Sequence, residues 1–412
     1  MNPRHNRLLL TSEEHFTVAL GAVYSCGPAT YSFWARYLDV FDEVFVLARV
    51  ANNERESGSD ETNHSGRADG RGVFFRPLPD HTGPWQYLRA RRRAQAIARQ
   101  AIAECDSYLL RVPGVVSQMA WEEILRLKKP YAVEVLGDPW DALGPGTWPH
   151  PTRPAFRLIA THQLKRICSR ASALDYVTTH ALQKRYPPSN NASVCTFSDV
   201  ELSLAPAKVL AEKHRRLRAS AWHNSHSGTP IRLGFIGSFS RLYKGADVFL
   251  RAVALCHQKG LNFCLTVVGD GQHLPEMQSL AATLGIAERT HFPGQLPPGV
   301  PIFDFLDSLD LFVLPSRAEG MPRALLEAMA RGCPCIASNV GGIPEVLGPT
   351  DLVPAGNRET LADLILKCAS DSDRLIAMSE RNLATAQRFS PQVIREARHA
   401  FLQTVKTPSQ SQ

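Results

Sequence analysis

The stretch Ile231-Arg-Leu-Gly-Phe-Ile236-Gly237-Ser-Phe-Ser-Arg241-Leu-Tyr-Lys244-Gly245-Ala-Asp247 decides the fold. Apolar residues 231–236 predict a strand, Gly237 ends it, a loop with two cations follows, and residues 246–258 predict a helix. The same order returns downstream. Phe263-Cys-Leu-Thr-Val-Val268 ends at Gly269 before a helix over 274–284, and His291-Phe292 is a short strand. Leu311-Phe-Val-Leu314 stops at Pro315 before a helix over 322–331, and Cys335-Ile-Ala-Ser338 stops before Gly341-Gly342. Short apolar strands alternating with helices predict a parallel sheet. In open parallel sheets, ligands bind outside the carboxyl ends of the strands. Helix N-termini there present free N–H groups and partial positive charge, which favours phosphate. A pyrophosphate-containing ligand is therefore expected.

Working outward, the first half carries the same alternation less cleanly. Strands are predicted at Arg7–Thr11, Glu43–Val50, Val73–Phe75, Ser107–Arg111, Tyr131–Leu136 and Asp175–Thr179. Helices are predicted over 31–38, 85–104, 116–128, 154–171 and 181–186. A loop runs through Ser25-Cys26-Gly27-Pro28, and the polar stretch 52–71 reads as a surface loop. Composition shifts over 205–230, where Lys213, Arg215, Arg216 and Arg218 precede His223-Asn-Ser-His-Ser-Gly-Thr-Pro230. That stretch reads as a linker between a first domain, 1–204, and a second, 231–389. Ser390 as N-cap and Pro391 in the first turn predict a last helix over 390–405. Residues 406–412 read as a disordered tail.

Composition sets the outer limits. The chain has 412 residues, 44% hydrophobic and 21% charged, which excludes a mainly disordered chain. No apolar run approaches the roughly 18 residues of a membrane span. Leu8-Leu9-Leu10 is too short for a signal peptide, so a cytoplasmic protein is expected. The nine cysteines (26, 105, 168, 195, 256, 264, 333, 335 and 368) include no Cys-x-x-Cys pair. Cys333 and Cys335 are neighbours on one strand and poor zinc ligands alone, so the set reads as buried thiols. Charge is uneven: residues 1–230 hold 29 Lys+Arg against 22 Asp+Glu, and residues 231–412 hold 17 against 17. The whole excess of +7 lies in the first half.

Three segments in the second half carry chemistry. Arg241 and Lys244 are suited to neutralising a diphosphate, the first by its fork and the second as a point charge. Gly269 and Gly271, in Val268-Gly269-Asp270-Gly271, let backbone approach a ligand closely. In Ser316-Arg-Ala-Glu319-Gly320-Met321-Pro322-Arg-Ala-Leu-Leu-Glu327, Glu319 precedes a helix and Glu327 lies within it. Carboxylates at these two positions accept hydrogen bonds from sugar hydroxyls. A bland reading stands beside each: solvated loop cations, a packing turn, a helix cap and a surface charge.

Together these segments resemble the C-terminal half of retaining glycosyltransferases of the two-Rossmann-domain GT-B type, in the large family numbered four. Glu319 and Glu327 match that family's two glutamates with seven residues between them, after Leu314-Pro315-Ser316. Lys244-Gly245, Val268-Gly269-Asp270-Gly271 and Gly341-Gly342-Ile343-Pro344-Glu345 match its other motifs in order. The first half resembles more loosely a branch that builds bacterial surface polysaccharides, through Phe33-Trp34-Ala35-Arg36-Tyr37-Leu38, Gly137-Asp138-Pro139-Trp140 and Tyr176 to Pro187. The implied fold is α/β, with two Rossmann-like domains whose parallel sheets face a central cleft and helix 390–405 crossing back onto the first.

The resemblance implies roles residue by residue. Lys244 contacts the donor diphosphate, Glu319 the donor sugar and Glu327 the ribose. Gly237, Ser238, Arg241, Gly269, Gly271, Gln295, Leu296, Gly320, Met321 and Pro322 complete the donor site, with Gln295 and Leu296 at the base. Gly27, Pro28 and Asp138 fall on the acceptor side. Two departures stand out. Ser238 occupies a position where the family often has a glycine followed by arginine, and Arg241 is taken as the substitute. Gly137-Asp138 replaces a histidine common at that strand end, which makes Asp138 the candidate polar group there.

The implied reaction is transfer of a sugar from a nucleotide-diphosphate sugar to a lipid-linked glycan acceptor, with retention and by front-face substitution. No cofactor and no metal are implied. No Asp-x-Asp stands at a strand end, and Asp371-Ser-Asp373 reads as a cap or turn. The basic helix 85–104, with Arg89, Arg91, Arg92, Arg93 and Arg99 among Trp85, Tyr87, Leu88, Ile97 and Ile102, is a candidate for an anionic membrane surface, with an ordinary solvated face as the alternative. A nucleic-acid partner has no supporting signature. Two competing readings remain: a sugar-nucleotide epimerase of the same architecture, and an inactive nucleotide-sugar-binding subunit.

Overall fold

The computed structural model describes residues 6–25, 27, 29–52, 66–80, 84–145, 147, 150–198, 200, 202–219 and 229–406. The first domain comprises β1 (Arg7–Ala19), β2 (Ala22–Ser25), α1 (Tyr31–Ala35), β3 (Glu43–Asn52), β4 (Gly66–Arg67), β5 (Val73–Pro79), α2 (Pro84–Ala103), β6 (Ser107–Val112), α3 (Val115–Arg126), β7 (Ala132–Val135), α4 (Pro139–Ala142), α5 (Arg153–Cys168), β8 (Ala173–Tyr176), α6 (Ala181–Arg185) and β9 (Ser193–Thr196). Seven strands pair in parallel in the order β5-β3-β1-β6-β7-β8-β9; β2 pairs antiparallel with β1, and β4 antiparallel with β2. Leu8, Leu9 and Leu10 are fully buried at its centre.

After α7 (Ala207–Ala219), the second domain runs β10 (Ile231–Ile236), α8 (Ala246–Gln258), β11 (Phe263–Val268), α9 (Leu274–Thr283), β12 (Thr290–His291), α10 (Val300–Ser308), β13 (Leu311–Leu314), α11 (Arg323–Ala330), β14 (Cys335–Ser338), β15 (Leu352–Val353), α12 (Arg358–Ala369) and α13 (Ser372–Ala386). Its six strands form one parallel sheet, β12-β11-β10-β13-β14-β15. The two-domain, parallel-sheet architecture expected from the sequence is present.

Several elements differ from expectation. The first strand does not stop at Thr11: it shifts register between Thr11 and His15 and continues to Ala19. Thr11-Ser-Glu-Glu-His15 looks polar, but Thr11 and Ser12 are buried and Phe16 returns to the core. The predicted linker is also largely structured. Residues 207–219 form α7, which docks on the second domain through a fully buried Lys213. Its ammonium donates to the carbonyls of Leu306 and Arg331, both at 3.0 Å, and lies 3.1 Å from Cys333 Sγ. Arg216 adds an ion pair with Asp310 at 2.8 Å. A cation-rich helix thus belongs to the core because its charges find partners there. Residues 220–228 of that stretch, Cys26, Pro28, most of the 52–71 loop and residues 407–412 lie outside the described residues.

The C-terminal part of α2 packs inward, and the side chains of Trp85, Tyr87 and Leu88 lie outside the described residues. Ala94, Ala98, Ala101 and Ile102 are fully buried in the first-domain core, and Arg91 and Arg99 pair with Glu122 and Glu123 of α3. Among the described residues, no helix is long and apolar enough to cross a membrane. Of the described cysteines, Cys264 is exposed and Cys195 half-buried, and the others are buried.

The last helix, α14 (Pro391–Lys406), crosses back onto the first domain. Ile394, Phe401, Leu402 and Val405 join the cluster that holds Leu8, Leu10 and Val46, and Phe401 meets the Phe197 ring edge-on at 5.8 Å. Phe401→Ala is expected to lower stability by about 3–5 kcal/mol, the cost of emptying a fully buried aromatic site. A denaturant titration measures it, and a loss under about 1 kcal/mol would mean that α14 is not docked in solution.

Candidate active site

The carboxyl ends of β10, β11 and β13 converge on one loop cluster. Gly237 N–H donates to Val268 O at 3.0 Å, Gly269 N–H to Gly294 O at 2.9 Å, and Phe239 N–H to Asp270 O at 2.9 Å. Gln295 and Leu296 follow Gly294 directly, so this base-pocket candidate shares an edge with Gly269 and Gly271. Ser238 and Arg241 are exposed on the loop that opens toward it. Gly245 brings this loop against the end of β13. With φ at +78°, a Cβ there would stand 2.1 Å from the Pro315 carbonyl oxygen. Only glycine permits that approach, and it carries Lys244 to the turn that holds Glu319.

Lys244 and Glu319 meet there. The ammonium donates to Oε1 at 2.8 Å and Oε2 at 3.0 Å, and the Ser316 hydroxyl donates to Oε1 at 2.6 Å. Both side chains are largely buried, at 17% and 6% exposure. Burial opposes the charge on Lys244, but the Glu319 carboxylate outweighs it and raises the lysine's pKa. A charged lysine and a carboxylate therefore stand ready at the mouth of helix α11. Arg317 braces the turn, with its guanidinium forking onto Asp247 at 2.8 and 2.7 Å.

Glu327 lies on α11, two turns beyond Glu319. Its burial raises its pKa, with Arg323 opposing. A desolvated carboxylate of this kind gains from hydrogen-bond donors supplied by a ligand.

The first domain closes the other side. Gly320 packs against β7, where a Cβ would stand 2.4 Å from the Leu136 carbonyl oxygen and 3.5 Å from Gly137 Cα. Gly342 N–H donates to Gly320 O at 2.8 Å, so the Gly341-Gly342 loop backs the same turn. Glu345, three residues on, reaches across the domains and accepts from Thr179, His180 and Ala181 N–H at 2.5, 2.9 and 2.8 Å, capping α6. Met321 also lines a cavity of about 160 Å³ between the domains, with Thr178, Phe197, Arg388 and Phe389.

The structure thus gathers Gly237, Lys244, Gly269, Gly271, Glu319, Gly320, Met321, Pro322 and Glu327 along one cleft edge. Asp138 is engaged within the first domain. Its Oδ1 accepts from Trp140 N–H at 2.8 Å and from the Tyr186 hydroxyl at 2.5 Å, and its other oxygen pairs with Arg185. It caps α4 and anchors α6, so both oxygens are occupied inside the first domain. Asp371, read as a cap, does accept from Arg374 N–H at 2.8 Å. The sequence reading missed Glu13 and Glu14. Glu13 accepts from Val116 and Ser117 N–H at 2.8 and 3.2 Å, capping α3 at the cleft edge. Beside it, Glu14 takes a 3.5 Å contact from the Ser25 hydroxyl, with Gly27 against its carboxylate. Burial raises the Glu14 pKa, while Arg111 of its own domain and Arg323 across the cleft lower it.

Two domains, each built on a parallel sheet, face each other across this cleft in a GT-B arrangement. Residues 230–371 match the family model described as glycosyl transferases group 1. The chain is 28% identical over 321 residues to Protein CapJ of Staphylococcus aureus, covering 77% of this chain and 75% of CapJ. The match to D-inositol 3-phosphate glycosyltransferase of Corynebacterium jeikeium is 33% over 195 residues, spanning 44% of this chain and less than half, 46%, of that protein. The fold superposes on HepE of Anabaena, solved with UDP and glucose, at a TM-score of 0.65 and 18% identity, covering 97% of this chain and 100% of that one.

Glu327 yields a test of its own. A folded-state pKa raised above the unfolded value means that the native state binds more protons, so stability falls as pH rises from about 4.5 through the folded pKa. Glu327→Gln is expected to flatten that fall and to raise the melting temperature above the window by roughly 2–4 °C, for about 1 kcal/mol. An unchanged pH–stability curve would show that Glu327 is solvated.

Proposed function

We propose that this chain transfers a sugar from a nucleotide-diphosphate sugar to a lipid-linked glycan acceptor in the cytoplasm, with retention at the anomeric carbon and without a metal. The observation that carries this reading is the contact of Lys244 with Glu319 at the N-terminus of α11. A donor diphosphate takes over Lys244 as its counter-charge, and the donor sugar's hydroxyls replace Lys244 on Glu319. The helix N-terminus adds free N–H groups for the leaving phosphate. Glu327 accepts from the ribose hydroxyls. HepE, of the same fold, binds UDP and glucose, which supports a uridine donor as the first to try.

Chemically, the bond from the anomeric carbon to the diphosphate oxygen breaks as the acceptor oxygen bonds to the same face. The departing phosphate takes the acceptor's proton. Lys244, joined by Arg241, stabilises the developing diphosphate charge, while Glu319 holds the sugar in register.

A second reading is a subunit that binds donor without turning it over. It is favoured by the bare Gly137 at the strand end and by the occupied carboxylate of Asp138. A thermal-shift series with UDP, GDP and their sugars, in wild type and Glu327→Ala, tests donor binding. A shift with one nucleotide, lost in Glu327→Ala, is expected; no shift at millimolar concentration overturns the donor site. Donor turnover in Glu319→Ala should fall about 100- to 1,000-fold. Donor binding in wild type with no turnover would establish the second reading.

A further inference from the structure

We propose that Glu345 is a positioning residue, which sets how far the cleft is closed by tying α6 of the first domain to the turn that carries Glu319. The motif Gly341-Gly342-Ile343-Pro344-Glu345 stands out in the sequence, yet none of its residues enters the donor contacts described above. The carboxylate is engaged on both oxygens: Oε2 accepts from Thr179 N–H, and Oε1 accepts from His180 and Ala181 N–H. Hydrogen bonds to a carboxylate are roughly twice as strong as neutral ones, so three of them on one side chain form a substantial tie between the domains. Two of the three are open to solvent, so water replaces them when the cleft opens.

α6 does not need this cap in order to form. The Thr178 hydroxyl oxygen accepts from Leu182 N–H at 3.0 Å, which caps the helix from within its own domain. What Glu345 adds is registry between domains. At its own end it is bound to the Glu319 turn: Gly342 N–H donates to Gly320 O at 2.8 Å, and a Cβ on Gly341 would stand 1.9 Å from the Glu319 carbonyl oxygen. Pro344 stiffens the single turn Ile343–Glu345 between them. The motif and the Glu319 turn therefore move together, and the grip on α6 decides where the first domain stands relative to Glu319.

Packing leaves that decision to the carboxylate. Beside the contact lies the cavity of about 160 Å³ lined by Thr178, Met321, Glu345, Arg388 and Phe389, so close-packed side chains do not set the angle here. Arg388, where the chain begins its return to the first domain, donates to the Glu345 carbonyl oxygen at 3.3 Å. The tie thus lies on the side where the chain passes between domains, and a small change of angle there becomes a larger displacement across the cleft. The kinetic consequence rests on the transfer reading above: that displacement separates a sugar held by Glu319 from a group carried on the first domain, and a misplacement of about 1 Å costs roughly 100-fold in rate.

Small-angle X-ray scattering of the unliganded full chain tests the tie without any substrate. Glu345→Ala should raise the radius of gyration by about 1 Å, against roughly 22 Å for a compact chain of this length. Glu345→Gln, which keeps one acceptor oxygen, should lie between it and wild type. Thr178→Val removes the internal cap of α6 but leaves Glu345 in place, and should not change the radius. With UDP-glucose, the sugar nucleotide bound by HepE, Glu345→Ala should lower kcat about 100-fold and keep KM within about twofold, with Glu345→Gln recovering at least about tenfold of that loss. An unchanged radius in Glu345→Ala, an equal expansion in Thr178→Val, or an expanded Glu345→Ala with unaltered kcat overturns the proposal. A raised KM at unchanged kcat would place Glu345 in donor binding and overturns it as well. Absence of wild-type turnover counts against the transfer reading and leaves the scattering to decide on Glu345, so the two fail separately.

Discussion

One buried ion pair organises the cleft. Lys244 and Glu319 come from different loops, and neither is stable as a lone charge away from water. Their contact sets demands on everything nearby. Gly245 must lack a side chain so that the lysine's loop can reach β13, Ser316 must satisfy the carboxylate, and Arg317 must hold the turn to Asp247. The pair also neutralises two charges that burial would otherwise penalise.

The second domain was legible because its signals are local. A strand ending in glycine or proline, then a helix start, is written within a dozen residues. Glu319 just before α11 and Glu327 within it fall in the same short stretch, so their placement was legible for that reason. The partners of Asp138 were not legible, because a polar residue after a strand looks alike whether it faces a cleft or caps the next helix; Tyr186 and Arg185, which hold it, lie more than forty residues away. Glu345 shows the same limit, since its partners on α6 lie about 165 residues upstream. The helix inside the predicted linker was hidden differently. Composition marks Lys213 as a surface residue, and only three acceptors brought from α10 and the segment after α11 make its burial tolerable.

The first domain makes its cleft-side contacts where sequence patterns are weakest. Glu13 and Glu14 sit on a strand that continues through polar residues, and their partners come from helices and loops that the strand meets only in three dimensions. Contacts on this side are therefore assembled from distant residues, whereas those at the second domain's strand ends are encoded in adjacent ones.

The return of α14 has a consequence for how the chain is made. The first domain's core includes Phe401, Leu402 and Val405, residues synthesised after the whole second domain. The second domain is thus an insertion within the first, complete in its own sheet before the first domain has its final helix. As the ribosome delivers the chain from its N-terminus, the sheet around Leu8 and Val46 waits with part of its apolar surface uncovered. The second domain closes first, and the first domain is sealed after it.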